Sequence, residues 1–272
     1  MWIRFSVAFI FLFFYLWRRG GTFKQILKLP PLITLCCVLG LGINYVAYLE
    51  GLAITGPSNA QIIIQAGPLL LAIAGVILFR EKINQRQYLS LLVLAVGFYF
   101  FYSDRLSNLL EEKTAFHHGS LWILLGAFFW ALYGIFQKMI VRDHHPQILN
   151  LVIYGVCSVI YAPLIHWQQF HVLNGWQWFL VLLLGLNTLL AYGFLGEALK
   201  HTPANQVGVI ITINPMITIL LMGIFEWINV KWIIQEHIHL RGYVGALIFM
   251  FGAACFILFS NKKVPIERVN SI

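Results

Sequence analysis

The amino-acid sequence predicts an all-α polytopic membrane protein with about nine transmembrane helices. Of its 272 residues, 60% are hydrophobic and only 10% charged, a balance outside the range of soluble domains. Apolar runs close to the ~20 residues that cross a bilayer core as helix recur along nearly the whole length. These runs are apolar on every side, whereas a barrel strand alternates apolar and polar residues over about ten positions. A helix also satisfies its own backbone hydrogen bonds in hydrocarbon.

Taken in order, the apolar runs between charged or Gly/Pro-containing loops place spans at 1–17, 32–53, 57–79, 88–102, 119–140, 148–165, 176–198, 205–228 and 243–259. The first run is a span and not a signal peptide, because Arg18 and Arg19 follow it and no small-residue cleavage site appears. Cys36, Cys37, Cys157 and Cys255 all fall inside apolar runs with no CxxC or zinc-like spacing, so they read as small packing residues.

The net charge of +8 sits in short loops and not on a basic face interleaved with stacking aromatics, which argues against a nucleic-acid partner. One set of alternate loops carries Arg18, Arg19, Lys24, Lys28, Arg80, Lys82, Arg86, Lys138, Arg142, Lys200, Lys262, Lys263 and Arg268. The other set carries only Arg4, Arg105, Lys113, Lys231 and Arg241. Positive loops stay cytoplasmic, so the C-terminus is expected in the cytoplasm and the N-terminus outside.

An internal repeat organises the chain. A Pro57-Ser58-Asn59 turn joins spans two and three, and Pro203-Ala204-Asn205 joins spans seven and eight. Each downstream helix carries an internal proline, Pro68 or Pro215, and each is followed by one more span. The second unit then has five spans and the first has four. Units of five face opposite ways across a membrane, the inverted-repeat plan of secondary transporters. The expected organisation is an N-terminal repeat at 1–103 lacking its first helix, an outer loop at 104–118, a C-terminal repeat at 119–260 and a cytoplasmic tail at 261–272.

This order of elements resembles the EamA-type branch of the drug/metabolite transporter superfamily. The residues carrying the resemblance are Ile3-Arg4-Phe5-Ser6-Val7-Ala8, the first proline helix ending in Leu78-Phe79-Arg80-Glu81-Lys82, Leu125-Gly126-Ala127-Phe128-Phe129-Trp130-Ala131-Leu132-Tyr133, and the stretch from Ala198 to Pro215. The Glu-Pro often found in the proline helices of that family is Gly67-Pro68 and Asn214-Pro215 here. The resemblance implies a ten-helix carrier of small metabolites, often an exporter, with a cavity lined by helices of both repeats.

Polar groups inside spans are costly and are the functional candidates. Glu50 reads as a proton-coupling or gate residue near the outer end of span two; the plainer alternative is a carboxylate reaching water at the rim. Glu197 is its near counterpart towards the inner end of span seven, and its neighbours Lys200 and His201 favour a simple ion pair. Asn44 and Tyr48 share one face of span two, and Gln61 and Gln65 share one face of span three. Amides supply donors and acceptors without buried charge, which suits a site for polar or zwitterionic ligands; helix-to-helix hydrogen bonding is the alternative. Trp130, Tyr133, Asn187, Tyr192, Gln206 and Asn214 form the second half's expected contribution to substrate binding. Pro68 and Pro215 remove backbone donors and are expected hinges.

No metal site is expected, since His117, His118, His144, His145, His237 and His239 lie in loops without ligand spacing. No cofactor is expected either, because no phosphate loop or nucleotide motif appears. The leading function is a secondary transporter, and not an enzyme, moving a small polar or amphipathic metabolite across the inner or plasma membrane by alternating access. Its partners are the lipid bilayer, a small-molecule substrate and protons as a coupling ion, with a monomer or homodimer both open. Two alternatives stand beside it: an intramembrane enzyme using Glu50 or a histidine, and a truncated, non-transporting scaffold.

Overall fold

The fold is described from a computed structural model covering residues 1–20, 23–55, 60–61, 63–111, 115–165, 168, 170, 173–217, 221, 224, 228 and 240–259. Among these residues every regular element is helical: α1 Trp2–Arg18, α2 Pro31–Thr55, α3 Ala66–Ile77, α4 Gln85–Glu111, α5 Ala115–Val141, α6 Pro146–Tyr161, α7 Gly175–His201, α8 Ala204–Ile211 and α9 Leu240–Leu258. Among the described residues four stretches are long and apolar enough to cross a membrane, namely Pro31–Thr55, His118–Val141, Pro146–Leu164 and Gly175–His201. The turn at 56–59 and the tail at 261–272 lie outside the described residues.

The loop expected at 104–118 is a correction. Residues 104–111 continue α4 and 115–118 belong to α5. Charge alone does not end a helix, and no glycine or proline interrupts the chain between Gly97 and Gly119.

The chain divides into two compact units, Met1–Phe79 with Glu112–Gly208, and Arg80–Glu111 with Val209–Ile272. In the first unit α2 and α5 run antiparallel, paired in register from Gly40 beside Phe129 and Tyr133 to Gly51 beside Gly119 and Ile123. A Cβ at Gly51 would lie 2.4 Å from Ile123 Cγ1 and 2.8 Å from the Gly119 carbonyl, so only glycine permits this approach. Helix α1 lies against α6 and α7. The Ser6 and Ser158 hydroxyls share a 2.6 Å hydrogen bond, and Phe9 sits over Gly155, so α1 is antiparallel to α6. Helix α6 is in turn antiparallel to α7, through Asn150 to Tyr192 and Tyr154 to Thr188. It follows that α1 and α7 run the same way.

The short Thr202-Pro203 connection between α7 and α8 is closed by Lys138. Its Nζ donates to the Leu199 and Thr202 carbonyls at 2.6 and 2.7 Å, placing a cation at a helix C-terminus where the exposed carbonyls attract it.

In the second unit α4 and α9 form an antiparallel pair built on glycine. A Cβ at Gly97 would stand 2.4 Å from the Phe249 amide nitrogen, one at Gly245 2.4 Å from that of Phe101, and one at Gly252 2.8 Å from that of Leu94. Gln87 Nε2 and Asn84 Nδ2 donate to the Phe256 and Phe259 carbonyls and hold one end of this pair.

The two internal prolines follow breaks in helical structure. Residues 64–65 form a turn ahead of α3, and Pro68 occupies that helix's first turn. Residues 212–213 form a turn after α8, and helical structure resumes at 214–217 around Pro215. A proline in a first turn lacks only an N–H that has no partner within the helix, so each sits where it costs least.

Candidate functional site

The first unit gathers a polar, tyrosine-rich cluster around Arg4. Arg4 stands in the first turn of α1, on the stripe it shares with buried Ala8 and Leu12. Its Nε donates to Thr188 Oγ1 at 3.0 Å, and its guanidinium carbon lies 5.2 Å from the centre of the Tyr45 ring. Thr188 is the central residue of the 27-residue α7, so this contact is made near the middle of a membrane-length helix. The Thr188 hydroxyl donates its own proton to the Leu184 carbonyl at 2.9 Å, which fixes it as an acceptor towards Arg4.

Aromatic rings continue the cluster. Tyr45 lies 4.8 Å from Phe5 and 6.3 Å from Tyr192, and Tyr192 meets Tyr133 edge-on at 5.7 Å. Such edge contacts place ring hydrogens against ring faces, a favoured arrangement for aromatic pairs. Tyr154 and Tyr161 close the floor around Phe5, and the Tyr161 hydroxyl donates to the Gly42 carbonyl at 2.6 Å. The wholly buried Tyr133 hydroxyl makes no hydrogen bond of ordinary geometry among the described residues, Gln137 one turn on being the side chain that faces it.

A buried amide relay lies beside these rings. Gln137 Nε2 donates to Asn150 Oδ1 at 3.3 Å, and Asn150 Nδ2 donates to the Tyr192 carbonyl at 3.0 Å. Gly196 makes room for it, since a Cβ there would press within 2.8 Å of Pro146 and 3.1 Å of Gln137.

Of the residues expected from sequence, Tyr133 and Tyr192 are brought together in this cluster, and Tyr48 stands three residues along α2 from Tyr45. Asn44 is buried beside it, but its Nδ2 donates to the Gly126 carbonyl at 2.9 Å, a bond that ties α2 to α5. Gln65 is 5% exposed; its Nε2 reaches back to the Gln61 carbonyl at 3.3 Å, and its Oε1 has no partner among the described residues. Next to it, Gly67 packs on Ala127 and Trp130, with an added Cβ 3.1 Å from Trp130 Cε3, so Trp130 flanks the start of α3. Gln61 and Asn187 are exposed, and Gln206 is buried. Asn214 is exposed in the second unit. Glu50 is exposed on α2, while the next residue, Gly51, faces α5. Glu197 pairs with His201 at 3.7 Å one turn away.

The sequence reading passed over Arg4, Tyr45, Gln137, Asn150 and Thr188. Arg4 counted there as an outer cation and as part of the Ile3–Ala8 stretch that carries the resemblance, not as a site residue. Its i, i+4, i+8 relation to Ala8 and Leu12 is the signal that it faces inward. Thr188 and Tyr192 likewise stand at i, i+4 on α7.

Residues 1–103 and 117–258 match the model of the EamA-like transporter family. The chain belongs to the EamA-like transporter family. Among its relatives in that family, an uncharacterized inner membrane transporter of Escherichia coli, YhbE, is 29% identical over 232 residues, covering 84% of this chain and 72% of YhbE. An uncharacterized transporter of Haemophilus influenzae is 29% identical over 270 residues, covering 97% of this chain and 86% of that protein. YxxF, an uncharacterized transporter of Bacillus subtilis, is 25% identical over 228 residues, with 83% and 72% covered. A crystal structure with a TM-score of 0.72 and 16% identity, covering 96% of this chain and 88% of its own, shares the fold. As a family member the chain is a multi-pass membrane transporter, so the Arg4 cluster belongs to a transport protein and not to an enzyme family.

Proposed function

We propose that this chain is a secondary transporter that exports small polar or amphipathic metabolites by alternating access. The observation that carries this reading is the pair of interrupted helices, broken at 64–65 ahead of Pro68 and at 212–213 ahead of Pro215. Secondary transporters place substrate sites at such discontinuities, where freed backbone groups line a cavity. Their equivalent positions in the two halves support an inverted repeat with the prolines as hinges. Gln65, with a buried amide oxygen that has no partner among the described residues, and Trp130 beside it are the proposed substrate contacts at the first break. The lysine and arginine imbalance of the loops supports a cytoplasmic C-terminus, and the name of the Escherichia coli relative supports an inner-membrane location.

The test is flux in liposomes. Vesicles carrying the purified chain and loaded with mixed amino acids and organic acids are expected to release specific solutes chemically unchanged. Gln65→Leu and Trp130→Ala are each expected to slow release at least about fivefold at equal amounts of folded protein, since a lost buried polar contact is worth about 1 kcal/mol or more. Full flux in both variants, or release of an altered compound, would sink the reading.

A further inference from the structure

We propose that Arg4 is an anion-binding group at mid-membrane depth, and that its guanidinium takes the carboxylate of a small organic acid or amino acid. This names a substrate class for the transport reading above and rests on it.

The direction of the side chain is the first argument. Val7 of α1 sits against Gly185 of α7, and the two helices run the same way. Arg4 lies one turn nearer the start of α1 than Val7, yet it reaches Thr188, almost a turn further along α7. The side chain therefore lies back towards the middle of the span. An arginine that merely escapes hydrocarbon extends towards the nearer interface, along the direction in which helical Cα–Cβ bonds already tilt.

The second argument is its unused bonding capacity. A guanidinium carries five N–H donors and no acceptor. Here Nε is held by Thr188 and the ring of Tyr45 lies against the cation, while neither Nη makes a hydrogen bond among the described residues. No carboxylate meets Arg4 among the described residues. Lys138 shows the contrast, since it is half-buried as well and carries carbonyl acceptors at 2.6 and 2.7 Å. The paired Nη groups form the planar fork that matches a carboxylate, and the Thr188 bond and Tyr45 ring hold that fork in one orientation.

Binding to the detergent-purified full chain tests this without requiring transport. Benzoate, pyruvate and L-phenylalanine are titrated against benzamide, pyruvamide and L-phenylalaninamide, with thermal stabilisation as the readout. At least one carboxylate is expected to bind, with its amide at least about tenfold weaker. Arg4→Gln is expected to weaken that carboxylate at least about tenfold, and Arg4→Lys less, because a point charge keeps attraction but loses the fork. Should Arg4→Gln fail to fold, Thr188→Val serves, and a severalfold weakening is expected once the guanidinium loses its anchor. Absence of binding by all three carboxylates, or an affinity unchanged by Arg4→Gln or by Thr188→Val in its place, overturns the proposal. Carboxylate binding without flux would keep the site and remove the transport reading. Flux indifferent to Arg4→Gln would do the reverse.

Discussion

The two units of this molecule are held together by different physics. In the second, α4 and α9 meet through Gly97, Gly245 and Gly252 pressed on opposing backbone. In the first, comparably close α2–α5 packing is joined by Arg4, Thr188, Gln137, Asn150 and a group of tyrosines, all placing polar atoms inside the span. Lipid tails are as apolar as leucine, so helices in a membrane associate through close van der Waals fit and need few polar contacts. The α4–α9 pair relies chiefly on that route. The polar cluster of the first unit is more than that packing route requires.

The largest effect that sharpens this contrast is expected at Gly97. Gly97→Leu forces α4 and α9 apart where a Cβ alone would stand 2.4 Å from the Phe249 nitrogen, and overpacking of this kind costs about 1–3 kcal/mol or more. Loss of the monodisperse peak in fluorescence-detected size exclusion is expected, and a variant as heat-resistant as the parent would show that backbone contact does not hold this pair.

A smaller effect is expected from Asn150→Leu, which removes both bonds of the amide relay and strands Gln137. Polar contacts between membrane helices average ~0.6 kcal/mol and reach about 1.7 kcal/mol, so a modest drop in the midpoint of heat inactivation is expected with folding intact. Complete failure to fold would place the relay with Gly97 as structural cement.

Glu50→Gln is expected to do least. The side chain is exposed, so flux and its response to an imposed pH gradient should stay within about twofold of the parent's. A gradient response abolished by this change would restore Glu50 as the proton-coupling group and move the functional centre away from Arg4.

Much of the fold was legible because hydrocarbon is a severe solvent. It requires long apolar helices, and their positions read directly from the sequence, as α2, α6 and α7 illustrate. Limits at the membrane surface were less legible: α4 runs on to Glu111 because water satisfies a helix of charged residues as readily as it does a loop. Within the candidate site, Tyr133 and Tyr192 were recognisable as polar residues inside spans. Arg4 was not, because a cation three residues into a span reads as a surface anchor until the direction of its side chain is known.

The sequence by itself determined the class of the molecule, its helices and the places of its two internal prolines, since each follows from local composition and spacing. Tertiary structure alone decided which polar residues are already satisfied by neighbours and which keep bonding capacity in reserve. Asn44 is consumed by the Gly126 carbonyl, whereas Gln65 keeps an open acceptor and Arg4 an open fork of donors. That distinction depends on what faces each group across a helix interface, and packing between segments distant in the chain sets those partners.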